Sequence, residues 1–193
     1  LSSDDRLQIL QIKNSETGET LLHIAATQSD TETVEMILEC VSEEERYILL
    51  SAQCRDNFTP MHYACSYDHG RILGLLIRLL KEETWYKLLQ RTTIRGVTPL
   101  HSSARGGQTQ AISTIADSLT AHQLICLLRI TNENGETPSQ WAELFGKHAA
   151  AELLQDYQTK ALIDVALQQA DQSGNNFEHK TIFSCVQTRF KSH

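Results

Sequence analysis

The sequence has no basic excess and no long apolar run. These two absences disfavour a nucleic-acid-binding protein and a membrane-spanning segment. It holds 17 basic and 24 acidic residues among 193, a net charge of -7. Proteins that bind nucleic-acid phosphates normally carry an excess of Lys and Arg, so we expect no nucleic-acid binding. The longest apolar run, residues 72–80, is interrupted by Arg78. It is too short to cross a bilayer, so we expect no membrane insertion of this segment.

Paired cysteines are also missing, and we expect no signal peptide in the first residues. The five cysteines are odd in number and form no Cys-x-x-Cys pair, which disfavours a disulfide framework or a zinc ribbon. The opening Leu-Ser-Ser-Asp-Asp has no basic region typical of a signal peptide. We therefore expect an intracellular protein, cytoplasmic with the nucleus not excluded. The missing initiator Met suggests a piece of a longer chain.

Proline is scarce, and its spacing indicates a repeat. The three prolines lie 39 residues apart, and each lies in a short block that begins with Thr. A fixed period of this size is typical of repeat architectures. The four blocks, the first of which has Leu in place of Pro, are Thr20-Leu21-Leu22-His23, Thr59-Pro60-Met61-His62, Thr98-Pro99-Leu100-His101 and Thr137-Pro138-Ser139-Gln140.

The chemistry of each block predicts a turn followed by a helix. Two positions before the Thr stand Gly18, Asn57, Gly96 and Gly135, residues that tolerate the positive φ of a tight turn. Thr is a good N-cap, and Pro suits the first helical position. Apolar residues at later helical spacings then predict the buried stripe of a second helix. Because one such unit cannot bury its own apolar face, neighbouring units must stack.

These motifs resemble the ankyrin-repeat family. The family signature is clearest in Gly96-Val97-Thr98-Pro99-Leu100-His101, and four copies in phase cover roughly residues 14–157. The resemblance implies an all-α solenoid of helix-turn-helix units joined by short hairpin-like tips. It also implies that His23, His62 and His101 are structural and form hydrogen bonds between loops.

The period departs from the family, whose usual unit is about 33 residues. The surplus in each unit falls at residues 42–50, 81–89 and 120–128, where Leu49, Leu88 and Leu127 recur 39 apart. Ser42 with Glu45, like Thr120 with Gln123, has the spacing of a capping box. We therefore expect each unit to carry a short third helix capped by Ser or Thr.

The register divides the chain into successive units. Residues 1–13 correspond to the third helix of a preceding unit, and residues 158–170 to the third helix of the fourth unit. Residues 177–190 read as a degenerate fifth unit or cap. The predicted boundaries are 1–13 for the preceding helix, 14–52, 53–91, 92–130 and 131–170 for the four repeats, and 171–193 for the cap and tail.

No cluster of residues predicts catalysis, a cofactor, a metal or a small-molecule substrate. Residues one repeat apart form a row along the stack, so the three block histidines do not converge on one point. Cys65 occupies a small-residue position and is predicted to pack in the core. For Trp85 two interpretations stay open, core packing under the third helix or an exposed anchor for a partner. Trp141 is expected to be half-buried.

The surface with the strongest binding signal is the concave face that ankyrin resemblance assigns to the tips and first helices. Its middle units place apolar side chains beside guanidinium groups, a combination enriched at interface hot spots. We hypothesise a patch suited to an extended acidic or mixed peptide, although Phe58 and Val97 could instead tuck against neighbouring tips. The candidate residues are Arg55, Phe58, Tyr67, Ile94, Arg95, Val97 and Arg105.

The sequence therefore predicts a non-catalytic protein–protein interaction module that works as a scaffold and binds a protein or peptide partner. The alternative is a regulatory or structural segment of a larger protein, such as the cytoplasmic part of a transient receptor potential-type channel. Nothing in the sequence identifies the partner, because one fold of this kind serves many unrelated partners.

Overall fold

The computed structural model describes residues 2–67 and 70–172, and within them it contains helices and no strand. The helices of this part of the chain are α1 Ser3–Leu10, α2 Leu21–Gln28, α3 Thr31–Glu39, α4 Glu43–Leu50, α5 Pro60–Ser66, α6 Gly70–Leu79, α7 Glu82–Leu89, α8 Pro99–Gly106, α9 Thr109–Asp117, α10 Ala121–Leu128, α11 Pro138–Leu144 and α12 His148–Gln172.

The helices stack in three rows. The first helices of the units pack in the order α2, α5, α8, α11, and the second helices in the order α3, α6, α9, α12. The third helices form another row, in which α4 contacts α7, while α10 packs against α12. The prediction of an all-α solenoid of stacked units with an added helix is confirmed.

The turns and helix starts follow the predicted chemistry. Residues 18, 57, 96 and 135 have φ values of 75°, 60°, 70° and 78°, so each Gly or Asn does adopt the left-handed turn. Each block Thr precedes a first helix as its N-cap, and Pro60, Pro99 and Pro138 open α5, α8 and α11. The proline ring fits there because the first-turn N–H has no helical acceptor.

The core runs the length of the stack between the three rows. Small residues lie where neighbouring first helices pack together. The four residues at this position of the repeat, Ala25, Ala64, Ser103 and Ala142, are all buried. Leu49, Leu88 and Leu127 anchor the third helices and are no more than 1% exposed. Burying such side chains against the next unit is what makes stacking favourable.

The caps of the third helices match the prediction in two units and differ in one. Ser42 and Thr120 form capping boxes with Glu45 and Gln123 at the starts of α4 and α10. Helix α7 instead begins after Lys81, whose side chain makes no capping hydrogen bond. The expectation that Ser or Thr caps every third helix is therefore wrong for α7.

The fourth unit also differs, because α12 is one continuous helix of 25 residues. The prediction of a separate third helix at residues 158–170 is wrong. In earlier units a buried apolar residue lies between the end of the second helix and the start of the third, as Val41 and Leu80 do. Gln158 takes that position, and the Thr159 hydroxyl donates to the carbonyl of Gln155 within the helix instead of capping a new one. The predicted cap at residues 177–190 lies outside the described residues, and the unit boundaries stay predictions.

Candidate partner-binding face

A row of three histidines connects the units beneath the tips. The backbone N–H of Thr20 donates to Nδ1 of His23 at 3.1 Å, and Nε2 of His23 lies 3.1 Å from the carbonyl of Phe58 in the next unit. His62 and His101 repeat the pattern, reaching Val97 and Glu136 at 2.9 and 3.1 Å. Since a backbone N–H can only donate, Nδ1 accepts, and the proton on Nε2 donates across the units.

Burial keeps these histidines uncharged. Removal from water lowers the pKa of His62 to about 4, and it also lowers the pKa of His23 and of His101. Both ring nitrogens of each histidine are already engaged. Within residues 2–67 and 70–172, no three His, Cys, Asp or Glu side chains lie close enough to hold a metal ion.

Backbone hydrogen bonds join the tips above the histidine row. The N–H of Arg55 donates to the carbonyl of Thr17 at 3.1 Å, that of Ile94 to Asp56 at 3.2 Å, and that of Glu133 to Arg95 at 2.9 Å. Each bond connects one unit to the preceding one. The side chains of successive tips are therefore held side by side in a fixed order.

Two adjoining grooves lie along this face. The larger has a volume of about 590 Å³ and reaches from the acidic tip of unit one to Trp141. The smaller has a volume of about 370 Å³ and is lined by residues of units two, three and four. They share the walls formed by Asp56, Phe58, Val97, Arg105 and Trp141.

All seven candidate residues line one groove or both. Arg55 and Tyr67 line the larger groove, and Ile94 and Arg95 line the smaller one. Ile94 is 61% exposed and Tyr67 is 51% exposed. Large apolar or aromatic side chains with this exposure are available for contact with another molecule.

Val97 and Phe58 are less available than the other candidates. Val97 is only 4% exposed, and its carbonyl accepts the His62 bond, so the prediction that it presents an exposed apolar side chain is wrong. Phe58 is half-buried, with its ring 5.5 Å from that of His62 and 5.9 Å from that of Tyr63. The tucked interpretation therefore holds for Val97 and in part for Phe58.

Trp141 and Phe145 complete the face, and the candidate set did not include them. Their rings are 5.5 Å apart at 89°, and Trp141 lines both grooves. The predicted half-burial of Trp141 is confirmed. The available signal was the four-residue spacing of two aromatic residues on one helix face, which brings their side chains together.

Trp85, by contrast, belongs to the core. It is 2% exposed, and its Nε1–H donates to the hydroxyl of Ser118 in the next unit at 2.9 Å. The interpretation of Trp85 as an exposed anchor is wrong.

The stacked helix pairs, the tips and the histidine row define a helical repeat protein. The family model for ankyrin repeats (3 copies) matches residues 3–85, so this part of the chain is similar to ankyrin repeats and the resemblance to that family is supported. Ankyrin repeats are in general protein–protein interaction modules and are typically non-catalytic. No curated protein sequence matches the chain. None of the described helices has the length and apolar character needed to cross a membrane.

Proposed function

We propose that the chain is a non-catalytic interaction module that binds an extended segment of a partner protein along the two grooves. The observation that carries the proposal is the continuity of the grooves over four units, with large side chains exposed where tips normally carry polar residues. Such a surface suits an extended chain, because an extended segment rises about 3.3 Å per residue and a few residues can therefore span neighbouring units. We expect this role in the cytoplasm or the nucleus.

Exposed Ile94 is the sharpest probe of the proposal. An aliphatic side chain buried in an interface stabilises a complex by about 1 to 2 kcal/mol, which is roughly a tenfold change in affinity. The double change Phe58→Ala, Ile94→Ala removes the apolar wall that the two grooves share and the exposed tip beside it. Met36→Ala is a matched control, because Met36 is 65% exposed on α3 and lines neither groove.

The experiment is affinity capture from native lysate followed by quantitative mass spectrometry. We expect proteins captured by the wild type to be retained by Met36→Ala and lost with the double variant. Circular dichroism establishes that both variants keep their helices, and Ile94→Ala alone guards against a folding defect from the half-buried Phe58. Equal capture by a folded double variant would show that partners bind elsewhere.

A further inference from the structure

The three arginines of the grooved face are not equivalent. Arg55 donates to the carbonyl of Ser15 at 3.2 Å, and Arg95 lies 3.7 Å from the carboxylate of Glu133. Arg105 is exposed and has no carboxylate within ion-pair distance among the described residues. It also lines both grooves. Arg55 also lacks a carboxylate partner among the described residues, but its guanidinium is bonded to a backbone carbonyl and lines the larger groove alone, whereas Arg105 lines both grooves.

Aromatic rings hold the Arg105 guanidinium in place. Its central carbon lies 4.9 Å from the ring centre of Phe145 and 6.0 Å from that of Trp141. Trp141 is itself packed edge-on against His101, at 5.7 Å. A cation–π contact attracts the guanidinium to the ring face without using its N–H donors as hydrogen bonds, so those donors stay available to a carboxylate. A group held in this way loses little conformational entropy when it binds a planar carboxylate.

The smaller groove supplies an apolar subsite next to this cation. Its lining includes Phe58, Ile94, Trp141 and Phe145 beside Arg105. The groove is enclosed on the floor by buried Val97. It therefore offers a place for one large apolar side chain next to Arg105, while Arg95, which also lines this groove, lies 3.7 Å from the carboxylate of Glu133.

The surrounding charges determine where an acidic group can bind. Glu16 and Glu19 line the larger groove toward unit one and repel carboxylates there, whereas Asp56 lines both grooves. In unit four, Glu133 lies 3.7 Å from the guanidinium of Arg95, and Glu143 lies 3.6 Å from His148, a contact that is an ion pair when that histidine is protonated. A carboxylate on a bound segment is therefore steered away from unit one and toward Arg105.

We propose that Arg105 selects partner segments in which an Asp or Glu lies two residues from a large apolar side chain. The carboxylate binds the guanidinium edge, and the apolar side chain enters the smaller groove. Successive side chains of an extended chain point to opposite sides, so residues two positions apart face the same surface. This gives the two-residue spacing. This inference rests on the proposed function and adds the chemistry of the partner.

The test uses a random peptide library displayed on phage and selected against the whole chain. We expect enriched peptides to share an acidic residue two positions from Leu, Ile, Phe or Trp. Fluorescence anisotropy with synthetic copies then measures affinity. Replacing the acidic residue of the peptide by its amide, or changing Arg105→Gln, should each weaken binding about tenfold. Together they should weaken it little further, since both remove the same contact.

Two further variants separate recognition from net charge and folding. Arg129→Gln removes the same charge from an exposed residue at the end of α10 that lines neither groove, and it should leave affinity unchanged. Arg105→Glu should bind a peptide whose acidic residue is replaced by Arg better than it binds the original peptide. That exchange of preference requires direct contact, which a merely structural role for Arg105 does not produce.

The outcomes distinguish this inference from the proposed function. Peptides that lose affinity with Phe58→Ala, Ile94→Ala but are indifferent to Arg105→Gln would overturn the role of Arg105 and leave the binding face intact. Enriched peptides without acidic residues would do the same. Failure to select any peptide that depends on the grooves would overturn both.

Discussion

Gly96 and Gly135 occupy the same place in successive tips, yet their surroundings differ. Both have positive φ, at 70° and 78°. A Cβ on Gly96 would lie 3.1 Å from the Cα of Asn132 in the next tip, whereas a Cβ on Gly135 would meet nothing within 4 Å among the described atoms. The pair therefore separates the cost of the left-handed backbone from the cost of the close approach between units.

We expect Gly135→Ala to lower the free energy of unfolding by about 1 kcal/mol, which is the usual cost of a left-handed non-glycine residue. Gly96→Ala should cost about 1 kcal/mol more, because backbone atoms of the neighbouring tip must also shift. Urea unfolding followed by circular dichroism measures both. Equal losses for the two variants would mean that the tips are not held closely together.

Single residues also show what the sequence could and could not predict. Positive φ at Asn57 and Gly96 was predictable, because few residue types tolerate that backbone. The burial of Val97 was not, since tip positions look alike in sequence and only the stacked neighbours determine which side chain they cover. Phe145 was predictable as a residue of this face, but its contact with Arg105 joins two units and has no counterpart in the repeat pattern.

Of the three helices α4, α7 and α10, each of which is the third helix of its unit, α7 lacks a side-chain cap. Lys81 stands where Ser42 and Thr120 cap α4 and α10. Lys81 pairs instead with Glu43 of the preceding unit, but both groups are solvent-accessible, and exposed ion pairs contribute little to stability. The uncapped start of α7 is therefore a place where the fold can be improved.

We expect Lys81→Ser to stabilise the protein, because the new hydroxyl can accept a hydrogen bond from the backbone N–H of Thr84. Ser42→Ala makes the opposite change at the equivalent position of α4, because it removes an existing cap. It should lower the free energy of unfolding by about 1 kcal/mol. The gain for Lys81→Ser should be of similar size. Urea midpoints of the two variants give the comparison, and a lower midpoint for Lys81→Ser would show that the ion pair outweighs the cap.

The continuous helix α12 shows why element boundaries were only partly predictable. The 39-residue register correctly placed the third helices of the first three units. It fails in the fourth unit, where Gln158 stands in place of the apolar residue that follows the second helix in earlier units. A repeat period does not record whether the side chain at this position packs into the core, as Val41 and Leu80 do.

At the scale of the whole molecule, the histidine row couples unit to unit through neutral imidazoles. Each buried ring donates to a carbonyl 35 residues further along the chain. Three kinds of contact join each pair of neighbouring units: the histidine bond, the backbone bond between tips and the packing of helices. Loss of one bond therefore weakens an interface that the other contacts share. The grooved face depends on these interfaces, since its walls come from different units.

Because these histidines are buried and neutral, we expect the free energy of unfolding to fall as the pH drops below the pKa of a free histidine. The unfolded chain takes up protons near pH 6.5, whereas burial lowers the pKa of His62 to about 4 in the folded state. Between those values the unfolded state binds more protons, so acid favours unfolding. From about pH 7 to about pH 5.5, His62 alone should lower the free energy of unfolding by about 1 kcal/mol. His23 and His101, whose pKa values are also lowered, add losses of the same sign.

The variant His62→Gln separates this effect from other acid-sensitive groups. Gln already stands at the matching position of unit four, where Oε1 of Gln140 accepts from the backbone N–H of Thr137 at 2.9 Å. The variant should be less stable than the wild type near pH 7, because the bond to Val97 is lost. Its stability should nevertheless fall less on acidification, since one titrating group is gone. Urea unfolding at both pH values measures the two slopes, and parallel slopes would mean that His62 becomes protonated without opposing the fold. A flatter slope for the variant would instead show that burial of a neutral His62 between two units is one source of the acid sensitivity of the fold.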